Sequence, residues 1–214
     1  MVELWIEVER VDGVCTGPVP MGIGTGFLVR NGRLHFAPGK PICMFALQSV
    51  LTLVAAKERV LDDDPNADWI ASVHGVQCPD PKGRTQWRLE QRPLGTTNLD
   101  TSGTDAELPR AKPGDLRVIV DRIEGRCSEG MCIGDRALVR GSSLYLAQPF
   151  CFYALQAVLP LLAGIQRAHE PNDWMLHETE VVCPDPLGNV ILRIESVSDP
   201  RTGPQRSSSA PCLS

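Results

Sequence analysis

The tetrapeptide Cys-Pro-Asp-Pro occurs twice in this chain, at residues 78–81 and 183–186, and the sequence around it repeats as well. WIEVERVDGVC (5–15) lies over RVIVDRIEGRC (117–127), and MGIGTGFLVR (21–30) lies over MCIGDRALVR (131–140). ICMFALQSVL (42–51) lies over FCFYALQAVL (150–159), and PNADW (65–69) over PNDW (171–174). A repeat on this scale constrains the fold strongly, because both copies must be able to make the same elements. The expected organisation is a first repeat unit at 1–92, a linker at 93–114, a second unit at 115–197 and a disordered tail at 198–214. The linker is rich in Gly, Pro, Thr and acid, and the tail has little to bury.

Within each copy the local patterns are readable. Residues 4–11 alternate, with Leu4, Ile6 and Val8 on one face, which predicts a strand. GFLVRNGRLHFA (26–37) carries Asn31-Gly32, a strong signal for a tight hairpin, and Gly141-Ser142 stands at the matching place. Residues 42–60 are expected as a helix with Pro41 near its first turn. Residues 68–78 are expected as a fourth strand, CPDPKG as a turn and residues 85–91 as a fifth strand. The fold class is therefore α+β: two similar β-β-β-α-β-β units related by a pseudo-two-fold, with the helices packed on antiparallel sheets. Apolar residues cover more than one stripe of each helix, which predicts burial against a sheet and against the other copy. Trp69 and Trp174 are expected as core anchors.

The chain has eight cysteines. Six fall in register: Cys15, Cys43 and Cys78 in the first copy, Cys127, Cys151 and Cys183 in the second. Cys132 and Cys212 have no counterpart. Following strand direction through the Asn-Gly hairpin brings the three cysteines of a copy to one end of its unit. Cys43 and Cys151 fall at a helix start, where the partial positive charge favours thiolate.

These residues resemble a family of small, single-domain, largely uncharacterised prokaryotic proteins. That family's pattern runs C-P-x-G-H-K-x-G-D, then I-C-P-x-A-L-H-A-L-Y-P, then C-P-D-P. The chain looks like a tandem duplication of such a unit. In the second copy Cys127, Gly130, Gly134, Asp135, Cys151, Ala154, Leu155, Pro160 and residues 183–186 match. The family's first histidine falls on Met131 and Met21, and its second on Gln156 and Gln48. The resemblance implies the repeat boundaries and the cysteine pattern.

Net charge is −5, against the basic surface that a nucleic-acid binder needs to displace counterions. The first residues lack the basic, apolar, small-residue order of a secretory signal. The apolar run at 150–165 is short of the ~20 residues of a membrane span. The expected setting is cytoplasmic, with reduced thiols, no membrane and no nucleic-acid partner.

Three functional readings follow. The first is a soft metal ion held by clustered thiolates: Cys127, Cys151 and Cys183 with Met131, and Cys15, Cys43 and Cys78 with Met21. Such ligands favour copper(I), with zinc or an iron–sulfur centre also possible. The second is a cysteine-dependent or cofactor-free enzyme acting on a small organic substrate in a cleft between the copies. Cys151 or Cys43 would be its nucleophile, and Asp185 or Asp80 the acid, base or hydrogen-bond acceptor. The third is packing, since free cysteine is among the most buried residues. His35, His74, His169 and His177 show no repeat register and are not assigned as ligands.

Overall fold

The computed structural model describes residues 2–17, 19–59, 69–99, 108–112, 114–167 and 179–197. The tail, most of the linker's centre, the second PNDW segment, His169, His177, Trp174 and the side chain of Trp69 lie outside the described residues.

Two antiparallel six-stranded sheets and two helices make the fold. Strand β1 (Val2–Val11) alternates as its sequence requires, with Leu4, Ile6 and Val8 buried. It pairs along its length with β6 (Thr85–Pro93), which buries Thr85, Trp87 and Leu89 on the same period. On its other side lies the hairpin of β2 (Gly26–Arg30) and β3 (Arg33–His35). Asn31 and Gly32 adopt φ of 50° and 71°, the positive pair that such a two-residue turn demands. In the second sheet β7 (Leu116–Ile123) is flanked by β12 (Val190–Ser196) and by the hairpin of β8 (Arg136–Arg140) and β9 (Ser143–Leu146). Gly141 supplies the positive φ of that turn.

Each half contains one more strand than the repeat pattern predicts. The two-residue strands β4 (Ile42–Cys43) and β10 (Phe150–Cys151) precede the helices, and each joins the sheet of the opposite half. Ile42 lies opposite Leu144 and Cys43 opposite Ser143, while Phe150 lies opposite Leu34 and Cys151 opposite Arg33. The first helix consequently begins at 44 rather than 42: α1 is Met44–Lys57, and α2 is Phe152–Ile165. Cys43 and Cys151 are extended N-cap residues, with ψ of 124° and 125°. The first helical N–H groups find carbonyls on the opposite half's hairpin turn. Met44 N donates to Ser142 O at 2.7 Å, and Phe152 N to Gly32 O at 3.1 Å. Orphan donors at a helix start must be satisfied somewhere, and here the crossing strand delivers them.

The expected fourth strand is also shorter than residues 68–78. Trp69–Ser72 forms a 3-10 turn and only Gly75–Gln77, β5, pairs at the sheet edge. Its counterpart is β11 (Glu180–Val182). The helices contact their sheets and each other, and the buried residues of both halves form one continuous core. Residues at the beginning of the expected linker are held to β1. Glu3, fully buried, accepts hydrogen bonds from Gly95 N and Thr97 N at 2.9 and 2.7 Å. Among the described residues no helix is long and apolar enough to cross a membrane.

Candidate thiol site

Each CPDP segment is a turn that joins an edge strand to a central one. Cys78 N donates to Thr85 O, and Cys183 N to Val190 O, both at 2.8 Å. The proline after each cysteine keeps that cysteine extended. The aspartate folds back on the turn: Asp80 Oδ1 accepts from Lys82 N and Asp185 Oδ1 from Leu187 N, each at 3.0 Å. The second carboxylate oxygen reaches the loop after the first strand of its half. Asp80 Oδ2 accepts from Thr16 N and Oγ1 at 3.0 Å, and Asp185 Oδ2 from Ser128 Oγ at 3.0 Å. These donors hold both carboxyls below the usual carboxylate range, led by Thr16 N for Asp80 and Leu187 N for Asp185. The two aspartates therefore act as acceptors that clamp the Cys15 and Cys127 loops to the turns.

The clamp needs close backbone contact. Gly13 N donates to Gly83 O and Val14 N to Lys82 O, while Gly125 N donates to Gly188 O and Arg126 N to Leu187 O. A Cβ on Gly13 would stand 1.9 Å from Lys82 O, and one on Gly125 would stand 2.1 Å from Leu187 O. Replacing Asp185 with alanine is expected to loosen this loop and to speed alkylation of the half-buried Cys127, read by mass spectrometry. An unchanged rate would show that the backbone contacts alone suffice.

Beneath the turns the cysteines pair by depth. Cys43, Cys78, Cys151 and Cys183 are buried, whereas Cys15 and Cys127 are half-buried. Cys151 and Cys183 lie close enough for each thiol to act directly on the other, so the two lose protons as a unit. The thiol that remains protonated stabilises its partner's thiolate, and Cys183 is lowered to about 7. Cys151 is pushed up, first by its neighbour Cys183 and then by burial, although the N–H groups of Tyr153 and Ala154 favour its thiolate. In the first half Cys78 is pushed up by burial, with smaller effects from Cys43, Asp80 and Cys15, all near enough to be felt.

Met131 and Met21 are buried, and Cys151 N donates to Met131 Sδ at 3.2 Å. The expected three-thiolate set is a different matter. Among the described residues, no group of three or more His, Cys, Asp or Glu side chains is arranged to hold a metal ion. Cys132 is disulfide-bonded and outside the pair. His35 is lowered to about 4 by burial and by Arg30 and Arg33, so it stays neutral near pH 7.

Several residues of the site escaped the sequence reading. Gly13 and Gly125 stand two places before a registered cysteine, and Gly83 and Gly188 close both CPDP turns. Glycine at matching places in both copies was a usable signal. Thr16 and Ser128, the two hydroxyl donors, were another. Arg33 carried no such signal, because its neighbourhood to Cys151 exists only through the crossing strand. Comparison with family models, curated proteins and solved structures finds no match.

Proposed function

We propose that the chain binds a soft monovalent metal ion, of the copper(I) type, through paired thiols. The two halves are copies of one unit about a pseudo-two-fold, and each carries one pair: Cys151 with Cys183, and Cys43 with Cys78. The observation that carries this reading is that two buried thiols, Cys151 and Cys183, lie close enough to act directly on one another. It brings two soft donors together with one proton already easily lost, and the Met131 thioether lies against the same residue. Thiolate and thioether donors select copper(I). Zinc sites ordinarily want four ligands and iron–sulfur clusters four cysteines, so a pair with one thioether suits them less. The chemistry needs reduced thiols, and the six registered cysteines are free even though Cys132 is disulfide-bonded.

A second reading keeps the enzyme class, because a thiolate formed near neutral pH at Cys183 is also a nucleophile. The substrate would be a small organic molecule admitted between the halves.

The experiment is anaerobic titration with copper(I) against a chromogenic chelator. Cys151→Ser and Cys183→Ser are each expected to weaken binding at that pair more than 100-fold, since a hydroxyl replaces a thiolate poorly. Cys127→Ser should change it little. A chain that takes up no copper(I) and has a single fast-alkylating thiol at Cys183 would refute the metal reading in favour of the second.

A further inference from the structure

We infer that the two thiol pairs are unequal, and that Arg33 of the first half's hairpin is the positioning residue that makes the Cys151–Cys183 pair the tighter one. This rests on the metal reading above. The crossing strands place Cys151 opposite Arg33 but Cys43 opposite Ser143. Directly opposed residues on adjacent strands share a face, with Cβ atoms ~5 Å apart. One pair thus has an arginine on the strand opposite one of its cysteines, and the other a serine.

The Arg33 side chain is built into the second half's site. Its Nη2 donates to Pro149 O at 2.6 Å, just before the strand that carries Cys151. Its Nη1 comes within 4.0 Å of the Cβ position of Gly130, the residue before Met131. The guanidinium therefore braces the strand of one soft donor and the loop of another. Its Nε is buried and has no hydrogen-bond partner among the described residues. The loop it meets is filled differently from its counterpart: Glu129 packs against Gly32, where the first copy has Gly17 beside Ser142. The field of Arg33 also reaches Glu129 and Asp135.

The consequence is electrostatic. Two thiolates on one monovalent ion carry one net negative charge. Burying that charge is unfavourable unless a positive group stands near. Arg33, on the strand opposite Cys151, offsets the Asp185 and Glu129 carboxylates that act on Cys183, and Ser143 supplies no such charge opposite Cys43. The expected difference in affinity is roughly 10- to 100-fold.

The test is an anaerobic copper(I) titration of the full chain with bicinchoninate as competitor. Two steps are expected, the tighter lost in Cys183→Ser and the weaker in Cys78→Ser. Arg33→Ser should weaken the tighter step about tenfold or more and leave the weaker step in place, whereas Arg33→Lys should keep most of the gap. Should Arg33→Ser fail to fold by circular dichroism, Arg33→Gln, which can still donate to Pro149 O, takes its place with the same expectation. Two equal steps in the wild-type chain, or a tighter step untouched by losing the charge, would overturn the inference while leaving the metal reading intact. No copper(I) uptake at either pair would overturn both.

Discussion

Gly125→Ala and Gly13→Ala are each expected to destabilise the chain by about 3–4 kcal/mol. The reason is local and hard to relieve. The added methyl would stand 2.1 Å from Leu187 O in one case and 1.9 Å from Lys82 O in the other, and both obstacles are backbone. The loop must retreat from the CPDP turn. That retreat breaks the two backbone hydrogen bonds of the contact and stretches the aspartate clamp on Ser128 or Thr16. Overpacking contributes ~1–3 kcal/mol and the lost hydrogen bonds about 1 kcal/mol each. Gly22→Ala is the internal control. Nothing lies within 4 Å of its Cβ position and its φ is ordinary, so it should be neutral or slightly stabilising. Urea denaturation of the three variants checks this. A loss under 1 kcal/mol in both clamp variants would show that the contact yields without strain.

The same contact explains how much of the molecule could be read in advance. Periodicity exposed β1, and Asn31-Gly32 exposed the first hairpin, because each depends on neighbours in sequence. The recurrence of CPDP marked a turn in each half. What could not be read was a pairing between halves. Strands β4 and β10 are two residues long, too short for any period, and their partners lie about a hundred residues away. A reading from sequence neighbours alone therefore runs the first helix over residues 42–43, which belong to β4. It also puts Cys43 one step too far into the helix. The site was legible in the same measure. Cys151 and Cys183 act on each other, Cys43 and Cys15 lie near enough to act on Cys78, and the Cys15 and Cys127 backbones approach Gly83 and Gly188 of the two turns. The division into buried pairs and half-buried outliers depends on depth, which spacing does not encode. Arg33 belongs to the other half altogether.

Glu3→Gln is expected to cost about 3 kcal/mol at pH 7 and progressively less as the solution is acidified. Glu3 is wholly buried in β1, where burial by itself would raise its pKa. Hydrogen bonds from Gly95 N and Thr97 N, together with Arg30, reverse that effect and bring the carboxyl from 4.5 to about 2. A folded-state value below the unfolded one means that the ionised group favours folding. The contribution is complete above about 4.5 and is lost as pH falls through 2. A shift of this size corresponds to about 3 kcal/mol. Glutamine keeps the shape but presents one acceptor where the carboxylate offered two, so one of the segment's donors loses a partner. Urea denaturation at pH 7 and at pH 2.5 separates the charge effect from packing. The gap between wild type and variant should be widest at pH 7 and should narrow at pH 2.5. An equal gap at both would show that the anchor works by shape rather than by charge. Asp115 offers the second half a comparable anchor: it accepts from Lys112 N at 2.9 Å and pairs with Arg140 at 2.8 Å. It too is held below the usual carboxylate range, where Arg140 and Lys112 outweigh the opposing effect of burial. Asp115→Asn should therefore narrow toward wild type on acidification in the same direction, and the double variant should lose nearly all of the acid-dependent stability that these two carboxylates supply.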